Sequence, residues 1–151
     1  MYKILKKKKK SIRYIDFENI KRFFKNIFTG RGVRIDGLNN GIKIKKLVRE
    51  VCMQKGIKNI KQIKMPILIP AVDIYTDELC VFSNNINKEI KSRVNYINDI
   101  DIGTAVQASC SYPGIFSPCP FNNKLFVDGG ITENLPCKET KKAGANKVLS
   151  I

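Results

Sequence analysis

The chain has 151 residues, 43% of them hydrophobic, with 28 Lys and Arg against 13 Asp and Glu and a net charge of +15. That length and apolar content suit one globular domain or part of one and exclude a disordered tail; no apolar run reaches the about 18 residues of a membrane-spanning helix, and the basic N-terminus lacks the apolar segment of a secretory signal. There is no histidine, and the five cysteines (Cys52, Cys80, Cys110, Cys119 and Cys137) form no Cys-x-x-Cys pair, which excludes a Ser-His-Asp or Cys-His catalytic set within the chain and leaves no zinc-site spacing.

The positive charge fits an anionic partner, and an acidic membrane surface before nucleic acid, because no nucleic-acid motif is present. The same charge also follows from a composition heavy in Lys, Ile and Asn together, so both readings stand. The cysteines are expected to serve as small buried hydrophobes in a reducing cytosol.

Residues 1–10 end in an unbroken basic run, Lys6 to Lys10, which repels itself and reads as a solvated, flexible N-terminus or an electrostatic tether. From Asp16 to Phe28 the period is helical: Ile20, Phe23, Phe24, Ile27 and Phe28 share one face, opposite Lys21, Arg22 and Lys25. Such a basic amphipathic helix packs on a sheet or lies on a membrane. After turn chemistry at Asp36–Gly41, a second helix is expected from Ile44, Leu47, Val48, Val51 and Cys52, with Asn40 as N-cap and Gly56 as its stop.

Ile67–Ile69 and Ala71–Val72 form a continuous apolar run that suits a strand buried on both faces. Pro70 inside it removes a ladder donor, so a bulge or sheet edge is expected there. Asp73 closes this strand as a turn or capping acid, with a second catalytic acid as the alternative. Leu79–Phe82 completes a hairpin. The Asn-rich stretch 84–98 reads as a surface excursion. Asp101 caps a short helix over Ile102 to Ser109, which Pro113-Gly114 stops. Asn122-Asn123 is a tight-turn signal before Leu125–Val127. A helix from Pro136 to Ala143, stopped by Gly144, and a strand over Lys147–Ile151 end the chain.

The most informative stretch is Phe126-Val127-Asp128-Gly129-Gly130, followed by Asn134-Leu135-Pro136. A β-favouring run delivers one carboxylate, Asp128, to a turn made by two glycines, which permit positive φ and close backbone approach. Asp-Gly is also ordinary turn chemistry.

Together with Gly103–Pro118 (Ala105, Ala108-Ser109, Pro113-Gly114-Ile115-Phe116-Ser117-Pro118), Pro66–Asp73 and Ala143–Val148, this text resembles the patatin-like phospholipase family. The resemblance implies an α/β fold: the C-terminal part of a patatin-like α/β sandwich with a mainly parallel central sheet, occupying residues 11–151 as a partial domain. It implies serine acyl ester hydrolysis of a lipid or ester by a Ser-Asp dyad, without cofactor or metal, and carries the dyad acid onto Asp128. The family's serine sits in a Gly-x-Ser-x-Gly elbow, with a glycine-rich loop upstream as oxyanion hole; this sequence has neither. Ser109 and Ser111 lie nearest but outside any elbow. The chain is therefore expected to need the N-terminal half of the same domain as a partner, to be inactive and marginally stable alone, and to reside in the cytoplasm or peripherally at the membrane. The alternatives are a non-catalytic module that binds anionic membrane or lipid, and an inactive fragment.

Overall fold

The computed structural model describes residues 39–85, 94–132 and 136–149. The basic run Lys6–Lys10, the helix expected over Asp16–Phe28, the Asp36-Gly37 turn and Asn134-Leu135 lie outside the described residues. Among the described residues three α-helices, α1 (Ile42–Met53), α2 (Ile102–Ser109) and α3 (Cys137–Lys142), accompany five strands: β1 (Leu68–Asp73), β2 (Glu78–Ser83), β3 (Asn95–Ile97), β4 (Cys119–Phe121) and β5 (Lys124–Asp128). The strands form one sheet in the order β3-β2-β1-β5-β4.

The α/β class expected from the sequence is the one found. The sheet is mostly antiparallel, however: β1 pairs antiparallel with both β2 and β5, and β4 with β5, while β2 and β3 alone run parallel. The expectation of a mainly parallel sheet is corrected here for a simple reason. Tight turns join β1 to β2 and β4 to β5, and a tight turn between neighbouring strands makes them antiparallel. The β4–β5 turn is Asn122-Asn123, with φ of 47° and 59°, the left-handed pair that suits the twist of a two-residue hairpin.

Alternation along the strands divides the sheet into two buried faces. Cys80 and Phe82 of β2, Ala71 of β1, Phe126 of β5 and Cys119 of β4 point toward α2 and join Ile60, Ile100, Ile102, Ala105 and Ala108 in one cluster. Phe82 and Phe126 meet edge to face with centroids 5.2 Å apart, the geometry the ring quadrupoles favour. Val72, Val81 and Val127 are buried on the other face. Both faces being covered explains why β1 reads as an unbroken apolar run.

Helix α2 packs on β1, β4 and β5, and α1 packs on α2. Asp101 is the N-cap of α2: its Oδ1 accepts from the Thr104 amide at 2.8 Å and from Arg49 Nε of α1 at 2.8 Å. A Cβ on Gly103 would stand 2.6 Å from the Lys45 carbonyl, so the crossing of α1 and α2 depends on that glycine. The stops expected for α1 and α3 are present. Gly56 (φ 70°) and Gly144 (φ 102°) close Schellman motifs, with Ile57 N–H bonded to Cys52 O and Ala145 N–H to Thr140 O. Asn40 does not cap α1 as expected; Gly41 takes the N-cap position, and the Asn40 side chain accepts from the Ile42 amide at 3.1 Å.

Two other expectations change. Residues 95–97 of the Asn-rich excursion are a strand, paired Cys80↔Asn95 to Phe82↔Ile97. Lys147–Leu149 carry no strand, and Leu149 is exposed.

Candidate active site

Strand β5 carries the candidate site. Its residues alternate so that Lys124, Phe126 and Asp128 share the α2 side, and its register against β1 sets Asp128 opposite Ala71. The Asp128 amide donates to the Ser111 carbonyl at 3.1 Å, which ties the end of β5 to the loop leaving α2. Asp128 then becomes the N-cap of a short 3-10 turn, Gly129–Ile131, and its Oδ1 accepts from the Gly130 amide at 2.8 Å. Among the described residues the second oxygen, Oδ2, has no hydrogen-bond partner. The carboxylate is half-buried. A carboxylate fixed through one oxygen with the other open can accept a proton from a hydroxyl placed against it.

Of the two expected roles of the glycines, close backbone approach is found at Gly129 and positive φ is not. Neither adopts positive φ; among the described residues the left-handed glycines are Gly41, Gly56, Gly114 and Gly144. Gly129 is required by space: a Cβ there would lie 2.7 Å from the Pro70 carbonyl carbon and 2.8 Å from its oxygen. Pro70 forms the floor beneath the turn. Its strand shows no bulge, since the register with β2 runs one for one from Leu68↔Ser83 to Asp73↔Glu78. The ladder with β5 ends at Ala71↔Asp128, so on that side Pro70 occupies a local edge, where a missing N–H is tolerated.

Asp73 lies on the same sheet face, beside Phe126 rather than Asp128. It is 1% exposed and fully engaged. Lys124 Nζ donates to its Oδ2 at 2.7 Å, Thr76 Oγ1 to the same oxygen at 3.3 Å, and the Tyr75 amide to Oδ1 at 3.2 Å. Burial alone would raise its pKa; the Lys124 bond and the backbone donors outweigh that and hold the carboxyl below the usual range. Asp73 is thus the turn acid of the β1–β2 hairpin.

Ser111 is also structural. Its side chain is buried and its hydroxyl donates to the Gln107 carbonyl at 2.8 Å. Ser109 lies half-buried in the last turn of α2. Cys110, between them, was not expected at the site. Burial and, after it, the charge of Asp128 push its thiol pKa up, which marks the thiol as a neighbour of the carboxylate. Sequence reasoning had no signal for the Ser111 carbonyl or the Pro70 floor, because both act through backbone atoms.

Among the described residues no three His, Cys, Asp or Glu side chains stand together as a metal site, and no helix is long and apolar enough to cross a membrane.

Comparison with known proteins gives two findings. The patatin-like phospholipase family profile matches residues 2–141. Curated relatives include proteins named lysophospholipase NTE1 from Meyerozyma guilliermondii, Candida albicans and Scheffersomyces stipitis. Each is 37% identical over 46 residues, which is 30% of this chain and 3% of the relative.

Proposed function

The chain belongs to the patatin-like phospholipase family, and from that premise we propose that it is the aspartate-bearing part of a serine lipid acyl hydrolase, with Asp128 as the acid of a Ser-Asp dyad. The observation that carries the reading is the Asp128 carboxylate, held at the end of β5 by the Gly130 amide with Oδ2 open. Oδ2 accepts the proton of a serine hydroxyl as that oxygen attacks the ester carbonyl. The leaving alcohol takes the proton, an acyl-serine remains, and water, deprotonated by Asp128, releases the acid. No histidine is needed, which suits a chain without one. The serine and the oxyanion donors are supplied by a Gly-x-Ser-x-Gly elbow and a glycine-rich loop outside these 151 residues. The substrate class is a lysophospholipid or related ester, on the strength of the names of the fungal relatives. The site of action is the cytoplasm, with peripheral contact at an anionic membrane.

The test is ester hydrolysis by the chain after an elbow-bearing segment of the family is joined upstream. Hydrolysis abolished by Asp128→Asn supports the assignment; hydrolysis that survives the substitution removes Asp128 from the mechanism.

A second reading, a non-catalytic module for anionic lipid surfaces, is favoured by the many exposed lysines. It predicts vesicle binding that weakens steeply with salt, and salt-independent binding would count against it.

A further inference from the structure

We propose that the outer face of α1 and the segment after it, residues 42–65, is a docking surface for an anionic lipid bilayer. The proposal deepens the lipid hydrolase reading by naming the face that meets the substrate's surface, and it is measured by binding rather than hydrolysis, so either can fail alone.

The segment exposes six lysines, Lys43, Lys46, Lys55, Lys58, Lys61 and Lys64, against one acid of its own, Glu50, and the neighbouring exposed Asp99 pairs with Lys61 at 3.1 Å. On α1, Lys43, Lys46, Glu50 and Met53 fall at three- and four-residue spacing along the outward face, while Val48 and Cys52 on the inward face pack against the core. Apolar groups stand among the cations: Met53 is 55% exposed and Met65 72%, and Ile42 at the start of α1 is also exposed. Cations that reach headgroup phosphates, interspersed with flexible thioethers that enter the acyl boundary, describe a membrane-surface element. A nucleic-acid groove of general specificity would instead present stacking aromatics, and residues 42–65 contain none.

The placement suits the site. Helix α1 runs antiparallel to α2: the Gln107 amide donates to the Asn40 carbonyl at 2.9 Å near one end, and Arg49 meets Asp101 at the other. Asp128 is tied to the loop at the C-terminal end of α2. The start of α1, with Ile42 and Lys43, lies at that end, while Lys58 and Lys61 lie at the Asp101 end, where the Ile102 amide donates to the Lys58 carbonyl at 3.2 Å and Lys61 meets Asp99 at 3.1 Å; a bilayer lying along the whole of α1 reaches both ends.

The experiment is co-sedimentation of the 151-residue chain with vesicles of phosphatidylcholine and phosphatidylserine against phosphatidylcholine alone. The chain is expected to bind the anionic vesicles and to be released by salt. Each lysine at an anionic surface is worth about fivefold, so Lys46→Gln/Lys55→Gln/Lys58→Gln should weaken binding about a hundredfold, while the charge-matched Lys138→Gln/Lys141→Gln/Lys147→Gln should cost less than about tenfold. Equal losses would overturn the proposal, because charge and not the face would then drive binding; so would failure of the unaltered chain to bind. The chain has no tryptophan, so Met53→Trp gives a second readout. Its emission should shift blue on anionic vesicles while that of Tyr75→Trp, on the β1–β2 turn, does not; an unshifted Met53→Trp would overturn the docking geometry. Tighter binding to random-sequence RNA than to vesicles, lost with the same three lysines, would overturn the lipid assignment.

Discussion

Gly129→Ala tests the packing that positions Asp128. The added Cβ would meet three Pro70 atoms at 2.7–2.8 Å, and two of these, the carbonyl carbon and oxygen, are backbone. No rotamer change relieves a backbone clash, and β1 is held on its other side by the Pro70↔Val81 pairing. The turn after β5 must therefore rise. Overpacking of this kind costs about 1–3 kcal/mol, less about 0.5 kcal/mol gained because alanine is more restricted than glycine in the unfolded chain. The net loss is about 1.5 kcal/mol. With a urea slope of about 2 kcal/mol per molar, the unfolding midpoint, followed by circular dichroism, should fall by about 0.7 M. Adding Pro70→Ala should restore nothing, since the carbonyl carbon and oxygen remain. A midpoint within about 0.2 M of the parent, or full rescue by the second change, would refute the backbone-contact account of this glycine.

Removing Lys124 should strand the buried Asp73 carboxylate: Lys124→Met should cost about 3 kcal/mol in urea unfolding, and Asp73→Asn in the same chain should recover part of it. Acid should unfold the protein from below about pH 4, the unfolded carboxylate range. Burial pushes Asp73, Asp101 and Glu139 up, but their bonds to Lys124, Arg49 and Lys142 outweigh it and lower all three; their contribution is complete above the unfolded values and is lost as pH falls through the folded ones. Tyr96 has the opposite sign. Burial, then its bond to Glu139 and that residue's charge, raise its pKa, so its stabilisation is complete below about pH 10 and is lost above it; a pH series of melting temperatures should show that alkaline loss reduced in Tyr96→Phe. Asp128→Asn should speed alkylation of Cys110, measured by peptide mass spectrometry, because the carboxylate helps hold that thiol protonated; an unchanged rate would separate the two groups.

Where local chemistry dictates structure, the sequence was readable. The α1 period, the Asp101 cap of α2, the Asn122-Asn123 hairpin and the two glycine stops all depend on residues near in sequence, and each appears within a residue or two of its expected place. Strand β3 escaped because three residues, Asn95–Ile97, are too few to carry a period, and its parallel partner β2 is joined to it by a polar stretch without strand signals. The strand expected over Lys147–Ile151 has the right composition, but Lys147–Leu149 find no partner in this sheet; a strand exists only where a neighbour accepts its ladder. At the candidate site, motif text singled out Asp128, and the two reasons given for the glycines fared differently at Gly129. Positive φ and close backbone approach were both expected; only the close approach, to Pro70, is found, and no single-sequence pattern reports which backbone passes beneath a turn.

The central claim, that Asp128 is the acid of a serine acyl hydrolase, is tested most directly by lysophospholipid hydrolysis in this chain joined to an upstream family segment with a Gly-x-Ser-x-Gly elbow. Hydrolysis is expected in the parent and should be lost in Asp128→Asn with the unfolding midpoint retained, since asparagine Oδ1 still accepts from the Gly130 amide. Undiminished hydrolysis by Asp128→Asn would contradict the claim.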